Sequence, residues 1–239
     1  MRSILRSLLA VSTIALSAVS AQATSLSISP VSIEVAAPGA SSRVTLENNG
    51  ADLVSAQVRV FKWVQKNGKD ELVPTREVVA SPPVIKIQPG KKNVVRIVRI
   101  GKALVAGEET YRLLVSEIPT PAQAANKAVT FAIQYSVPVF FVSKRGDEAL
   151  TWTARMSKGN LIVEAANGGS RRAKLVNMKI GVPGGKSITV AEGLAGYVLP
   201  DSSKVWVARP KTLKSGSKIT ITAQTEQGPV NATALVAGQ

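Results

Sequence analysis

Residues Val129–Phe141 read VTFAIQYSVPVFF, with bulky apolar side chains at every second position: Val129, Phe131, Ile133, Tyr135, Val137 and Val139. The other face carries Thr130, Ala132, Gln134, Ser136 and Pro138. Alternation with period two marks a strand with one apolar face. Typical strands run to about 5–6 residues, so this one is more than twice as long. A strand that outruns its partner leaves an uncovered apolar row, which either aggregates or binds another chain. The chain is therefore expected to be a β protein whose function turns on what covers that row.

The chain opens MRSILRSLLAVSTIALSAVSAQA, with Arg2 and Arg6 before an apolar stretch and Ala21-Gln22-Ala23 after it. This is the pattern of a secretory signal cleaved at a small-x-small site. Residues 1–23 are read as that signal, leaving 216 of the 239 residues and no membrane span after cleavage. Export permits disulfides, yet there is no cysteine, so the cores must hold without them. Removing two arginines leaves a net charge of +13 from the formal +15. Such a balance suits acidic partners. Nucleic acid is set aside, because only 4% of residues are aromatic and the chain is exported.

No stretch carries the apolar spacing of a long helix. Seven alternating runs occupy the first half: Leu26–Val35, Ser42–Glu47, Ser55–Gln65, Glu71–Val79, Asn93–Ile100, Thr110–Ile118 and Val129–Val142. Turn residues separate them, and Lys66-Asn67-Gly68-Lys69 is a hairpin signal because Asn-Gly tolerates positive φ at both central positions. Ser81-Pro82-Pro83 reads as a rigid turn that admits a cis bond. Seven short strands at this spacing suggest an immunoglobulin-like sandwich over residues 24–144. After a polar break at Ser143–Glu148, eight further runs suggest a second β-sandwich over residues 148–239.

The chemistry of common enzymes is missing. Without Cys or His there is no usual zinc site and no Ser/His or Cys/His pair. No catalytic residue, metal site or cofactor is assigned. Gly181–Ser187 superficially resembles a phosphate loop, but Ile180 stands where the first glycine is needed and no helix follows. A hairpin turn is the better reading. Glu108-Glu109 is expected as a solvated pair at a strand entrance.

Five ordered segments resemble one family, the periplasmic chaperones of chaperone–usher pili, which have a PapD-like fold. They are Leu26–Val35 with Val44–Gly50, then Val58–Trp63, then Ser81–Pro83 with Ile87–Gly90 and Val94–Arg96, then Tyr111–Pro119, and last Val129–Phe141. Gly196–Pro200 adds weaker support in the second half. The resemblance implies two immunoglobulin-like domains in a boomerang. It implies a seventh strand lent to an incomplete pilus subunit, donor-strand complementation, and delivery of that subunit to an outer-membrane usher. It leaves open whether the free protein self-associates. On this reading Val129, Phe131, Ile133 and Tyr135 form the donor row, although Tyr135, Val137 and Val139 are also expected to pack in the chain's own sandwich.

The departures narrow the branch. The basic pair that holds the client's terminal carboxylate elsewhere in the family would fall at Ser32 and Pro138, and neither is basic. An interdomain ion network would use Glu117, but its partners fall at Val142 and Gln224. The Arg59–Trp63 and Tyr135–Phe140 segments resemble the archaic branch, which serves spore-coat-protein-U-like subunits. Arg112 lies between Tyr111 and Leu113, so a buried Tyr111 and Leu113 would turn it outward toward the cleft. It is the first candidate carboxylate anchor, with Arg59 and Arg96 behind it. Glu117 is kept as a candidate interdomain ion pair, with Lys144-Arg145 as possible partners. The alternative function is a structural pilus subunit or surface adhesin. A subunit would carry a free donor extension at its start, whereas here the first strand begins at Leu26.

Overall fold

The computed structural model describes residues 26–119, 133–210 and 213–238, and among these every regular element is a strand. The first half contains β1 (Leu26–Ser29), β2 (Ile33–Ala36), β3 (Ser41–Asn48), β4 (Val54–Lys66), β5 (Lys69–Pro74), β6 (Val78–Ser81), β7 (Val84–Ile87), β8 (Lys92–Arg99), β9 (Glu108–Ile118) and β10 (Gln134–Val142). The second contains β11 (Leu150–Ser157), β12 (Asn160–Asn167), β13 (Ala173–Gly181), β14 (Ile188–Thr189), β15 (Leu194–Val198), β16 (Ser202–Ala208), β17 (Lys218–Thr225) and β18 (Gly228–Ala237).

The first domain is a sandwich. A four-stranded sheet, β1-β3-β8-β6, faces a sheet ordered β2-β10-β9-β4-β5, with β7 also paired to β4. Between them lies a core of inward residues that includes Leu26, Val44, Leu46, Ile97, Tyr111, Leu113, Val139 and Phe141. In the second domain β13, β17 and β18 join β11, β12 and β16 through a short parallel pairing, Ala154↔Val236 and Arg155↔Ala237. The two halves close over a separate core around Leu161, Val163, Leu175, Met178, Ile219 and Ile221.

Two expected strands are each two strands. Leu26–Val35 breaks at Pro30–Ser32, so that β1 pairs with β3 in one sheet and β2 with β10 in the other. Proline cannot donate to a ladder, and the buried positions change phase across it, from Leu26 before the break to Ile33 and Val35 after it. Glu71–Val79 breaks after Pro74, where Thr75 Oγ1 accepts the Glu77 N–H. Here β5 stays beside β4 while β6 crosses to β8. The four-residue β7 has too short a pattern to register as a strand. The Asn67-Gly68 turn is present, with φ of 51° and 75°, and the Ser81–Pro82 bond is cis. Gly181–Ser187 is the connection of an antiparallel pair, since Lys179 registers with Thr189. The earlier part of the expected long strand, with Val129 and Phe131, lies outside the described residues.

Candidate functional site

Alternation sorts the side chains of β4, β9 and β10 between the sandwich core and an outward face. Outward come Arg59, Phe61, Trp63 and Gln65 from β4, Glu108, Thr110 and Arg112 from β9, and Pro138, Phe140 and Val142 from β10. From Val137 onward both faces of β10 are buried. The reason is the second domain: Trp63, Phe140 and Val142 form a closed apolar cluster with Tyr197 and Leu199. Trp63 is 1% exposed and meets Tyr197 edge-on at 5.4 Å and Phe140 at 6.1 Å between ring centres. Aromatic pairs prefer such tilted and edge-on arrangements.

Polar groups bind the two domains beside this cluster. The buried Gln65 amide acts as a peptide group would. Its Nε2 donates to the Tyr197 carbonyl at 2.8 Å, and its Oε1 accepts the Leu199 N–H at 2.9 Å. Asp70 takes hydrogen bonds from Trp63 Nε1, Gln65 Nε2 and Lys204 Nζ. Burial would raise its carboxyl, but these three partners outweigh burial and hold it below its ordinary value. The hairpin tip closes on β16: Gly68 O accepts the Val205 N–H at 3.2 Å. A side chain at Gly68 would collide with the Val205 side chain, at a φ of +75° that L residues rarely adopt. Gln65→Leu is expected to cost about 2–5 kcal/mol, because it orphans two buried backbone groups. Chemical denaturation checks this, and a midpoint within error of the parent would contradict it.

A second polar centre is built on Arg172. Its Nη1 donates to Glu108 Oε2 and its Nη2 to Glu34 Oε2, each at 2.6 Å, with Glu226 at 3.5 Å. Its guanidinium also lies 3.7 Å from the centre of the Phe140 ring. The side chains of Arg172 and Glu108 are 4% and 0% exposed. Burial opposes the charge on Arg172, but Glu108, Glu34 and Glu226 outweigh it and hold its pKa above the ordinary value. Asn167 fixes the turn that carries Arg171 and Arg172, donating to the carbonyls of Arg171 and Val198 and accepting the N–H groups of Ala149 and Gly169. All four of its hydrogen-bonding positions are used.

The predicted site residues fall in distinct places. Arg112 points outward into the cleft while Tyr111 and Leu113 are fully buried. Its guanidinium stacks 3.7 Å from the Trp63 ring centre and 5.9 Å from that of Tyr197. It is the cross-strand neighbour of Pro138. Burial pulls its pKa below the ordinary value against the attraction of Asp70 and Tyr197, yet arginine stays charged. Among the described residues it forms no ion pair, and its one polar contact is a long 3.5 Å approach to the Ser136 carbonyl. Arg59 shares this face but is exposed, 5.6 Å from the Phe61 ring. Arg96 lies on the outer face of the other sheet, beside Arg43 and Ser81. Arg99, on the same strand, is held bidentately by Glu109 at 2.7 and 2.6 Å.

Ile133 is half-buried, and its carbonyl accepts the Glu117 N–H at 3.0 Å. Tyr135 packs against the first-domain core, with its hydroxyl donating to the Leu26 carbonyl. Glu117 makes no ion pair among the described residues, and neither do Lys144 and Arg145. The interdomain pairs are those of Arg171 and Arg172 with Glu34, Glu108 and Glu226, and of Lys204 with Asp70. Glu108 and Glu109 are not a solvated pair: alternation sends one to Arg172 and the other to Arg99. Sequence reading missed Gln65, Phe140, Tyr197 and Arg172 as interface residues. The only signal for them was the loss of alternation in Val137–Val142, where both faces turn apolar.

The signature of the pili and flagellar-assembly chaperones, PapD N-terminal domain, matches residues 25–145. The chain belongs to this family of assembly chaperones. The fold also matches solved structures. The CsuC–CsuE chaperone–tip adhesion subunit pre-assembly complex, from the archaic chaperone–usher Csu pili of Acinetobacter baumannii, gives 24% identity and a TM-score of 0.69 over 90% of this chain and 100% of that chain. The Salmonella enterica SafA pilin in complex with the SafB chaperone gives 19% and 0.58 over 88% and 97%. The E. coli chaperone DraB gives 18% and 0.56 over 87% and 98%. At these identities the likeness is one of fold. No curated protein matches the sequence.

Proposed function

We propose that the chain is a periplasmic chaperone of the archaic branch, which caps pilus subunits by donor-strand complementation and hands them to an outer-membrane usher. The leader 1–23 directs export, the domain 24–144 lends its seventh strand through Val129, Phe131 and Ile133, and the domain 148–239 completes the cleft. Main-chain hydrogen bonds supply affinity and alternate side chains enter the client's pockets. The likeness of fold to a chaperone of archaic Csu pili supports the branch.

The observation that carries the reading is Arg112. A half-buried guanidinium stacked on an indole, with its fork unengaged by any described carboxylate, suits a carboxylate brought by another chain. It lies beside Pro138, the position at which the resemblance would place the lysine of the classical branch. Arg112 is the anchor for the client's terminal carboxylate, and β10 runs past it toward the donor row.

Truncating one partner of a buried charge-assisted pair costs about 2–5 kcal/mol, or about thirty- to several-thousand-fold in affinity. Arg112→Ala therefore leaves thermal unfolding nearly unchanged while co-expressed pilus subunits degrade or aggregate. Arg112→Lys restores part of the yield, since lysine lacks the planar fork. Normal yield of the subunit complex with Arg112→Ala would overturn the anchor role and move attention to Arg59.

A further inference from the structure

We propose that Arg172, in the second domain, is a positioning residue for Arg112 in the first. This rests on the reading of Arg112 as the carboxylate anchor. An arginine side chain loses much rotamer freedom when it is fixed, and no described carboxylate fixes Arg112. What orients it is the Trp63 ring beneath it, 3.7 Å away. That ring is in turn wedged between Tyr197 at 5.4 Å and Phe140 at 6.1 Å. Phe140 carries the Arg172 guanidinium on its ring at 3.7 Å. Arg172 cannot swing away, because Glu108 and Glu34 of the first domain hold two of its nitrogens at 2.6 Å each.

The result is a stack of rings with a cation at each end: Arg172, Phe140, the Trp63–Tyr197 pair, Arg112. A guanidinium over a ring face is attracted by the ring quadrupole, more strongly when desolvated. Arg172 is shielded from water while Arg112 is half-buried, and among the described residues only Arg172 has carboxylate partners. The second domain thereby sets the direction of the first domain's cleft arginine and leaves its fork open for a client.

The test needs no client. In the full chain labelled with ¹⁵N-arginine, the Arg112 Nε–H signal, assigned through Arg112→Ala, is expected well upfield of exposed Arg96, because it lies over the indole face. Phe140→Leu keeps the carboxylates of Arg172 and removes the ring between. Arg172→Lys keeps a charge for Glu108 and removes the planar stack. Each is expected to move the Arg112 signal to the position of Arg96, while the amide spectrum of the second domain stays dispersed. An unmoved Arg112 signal in either folded variant overturns the proposal, and if Arg172→Lys does not fold, Phe140→Leu alone decides it. A collapsed stack together with normal subunit capture by Arg112→Ala would remove the anchor reading and keep the positioning role. An unmoved signal removes the positioning role alone.

Discussion

Ile133→Asp is expected to abolish capture of pilus subunits and to leave the chain folded. Ile133 immediately precedes β10 and its side chain is half-buried, so a carboxylate there remains partly in water in the free protein. Its backbone stays tied to β9 through the Glu117 N–H. In a subunit pocket the same carboxylate would be buried without a partner, at a cost of about 3 kcal/mol or more. That is roughly a hundredfold or greater loss of affinity. Phe131→Asp is expected to behave likewise. The yield of chaperone–subunit complex measures capture, and thermal melting of the free variant measures folding. A variant that unfolds the chaperone would place Ile133 in its own core and contradict the donor role.

Arg172→Ala is expected to destabilise the chain by about 3–5 kcal/mol, the cost of leaving a buried carboxylate unpaired. Glu108 is that carboxylate: its side chain has no exposure, and its next cation, Arg171, is 3.9 Å away. Arg171→Ala should cost far less, since its side chain is 26% exposed and its contact with Glu34 lies at the surface. Removing both charges together, as Arg172→Met with Glu108→Leu, should recover most of the lost stability, because apolar replacements of a buried pair are often neutral. Denaturant midpoints of the three variants decide this. A single Arg172→Ala loss below about 1 kcal/mol would mean that Glu108 is hydrated or protonated, and that the network does not hold the domains.

Alternation made the strands legible, and with them the face on which Arg112 stands, since burying Tyr111 and Leu113 leaves Arg112 only the outer side. The same rule could not say where a strand changes sheets. Pro30 and Pro74 mark both places, yet proline in a sequence is equally compatible with an edge strand. The interface was not legible for a different reason. Gln65 meets Leu199 across 134 residues, and Arg172 meets Glu34 across 138. No local period encodes such pairs. Glu108 illustrates the gap, for beside Glu109 it looks like a solvated strand entrance until the second domain closes over it. Arg171-Arg172 after the Asn167-Gly168-Gly169 turn likewise reads as surface charge, and only the docked sheet gives it partners.

Hydrogen exchange of the backbone amides from Val129 to Gln134 tests donor-strand pairing most directly. It should be measured in the chain alone and in complex with a pilus subunit that lacks its own last strand. Donor-strand pairing predicts that alternate amides in this stretch become strongly protected in the complex, as ladder hydrogen bonds to the subunit form. Exchange that is unchanged across Val129–Gln134 in a stable complex would contradict it.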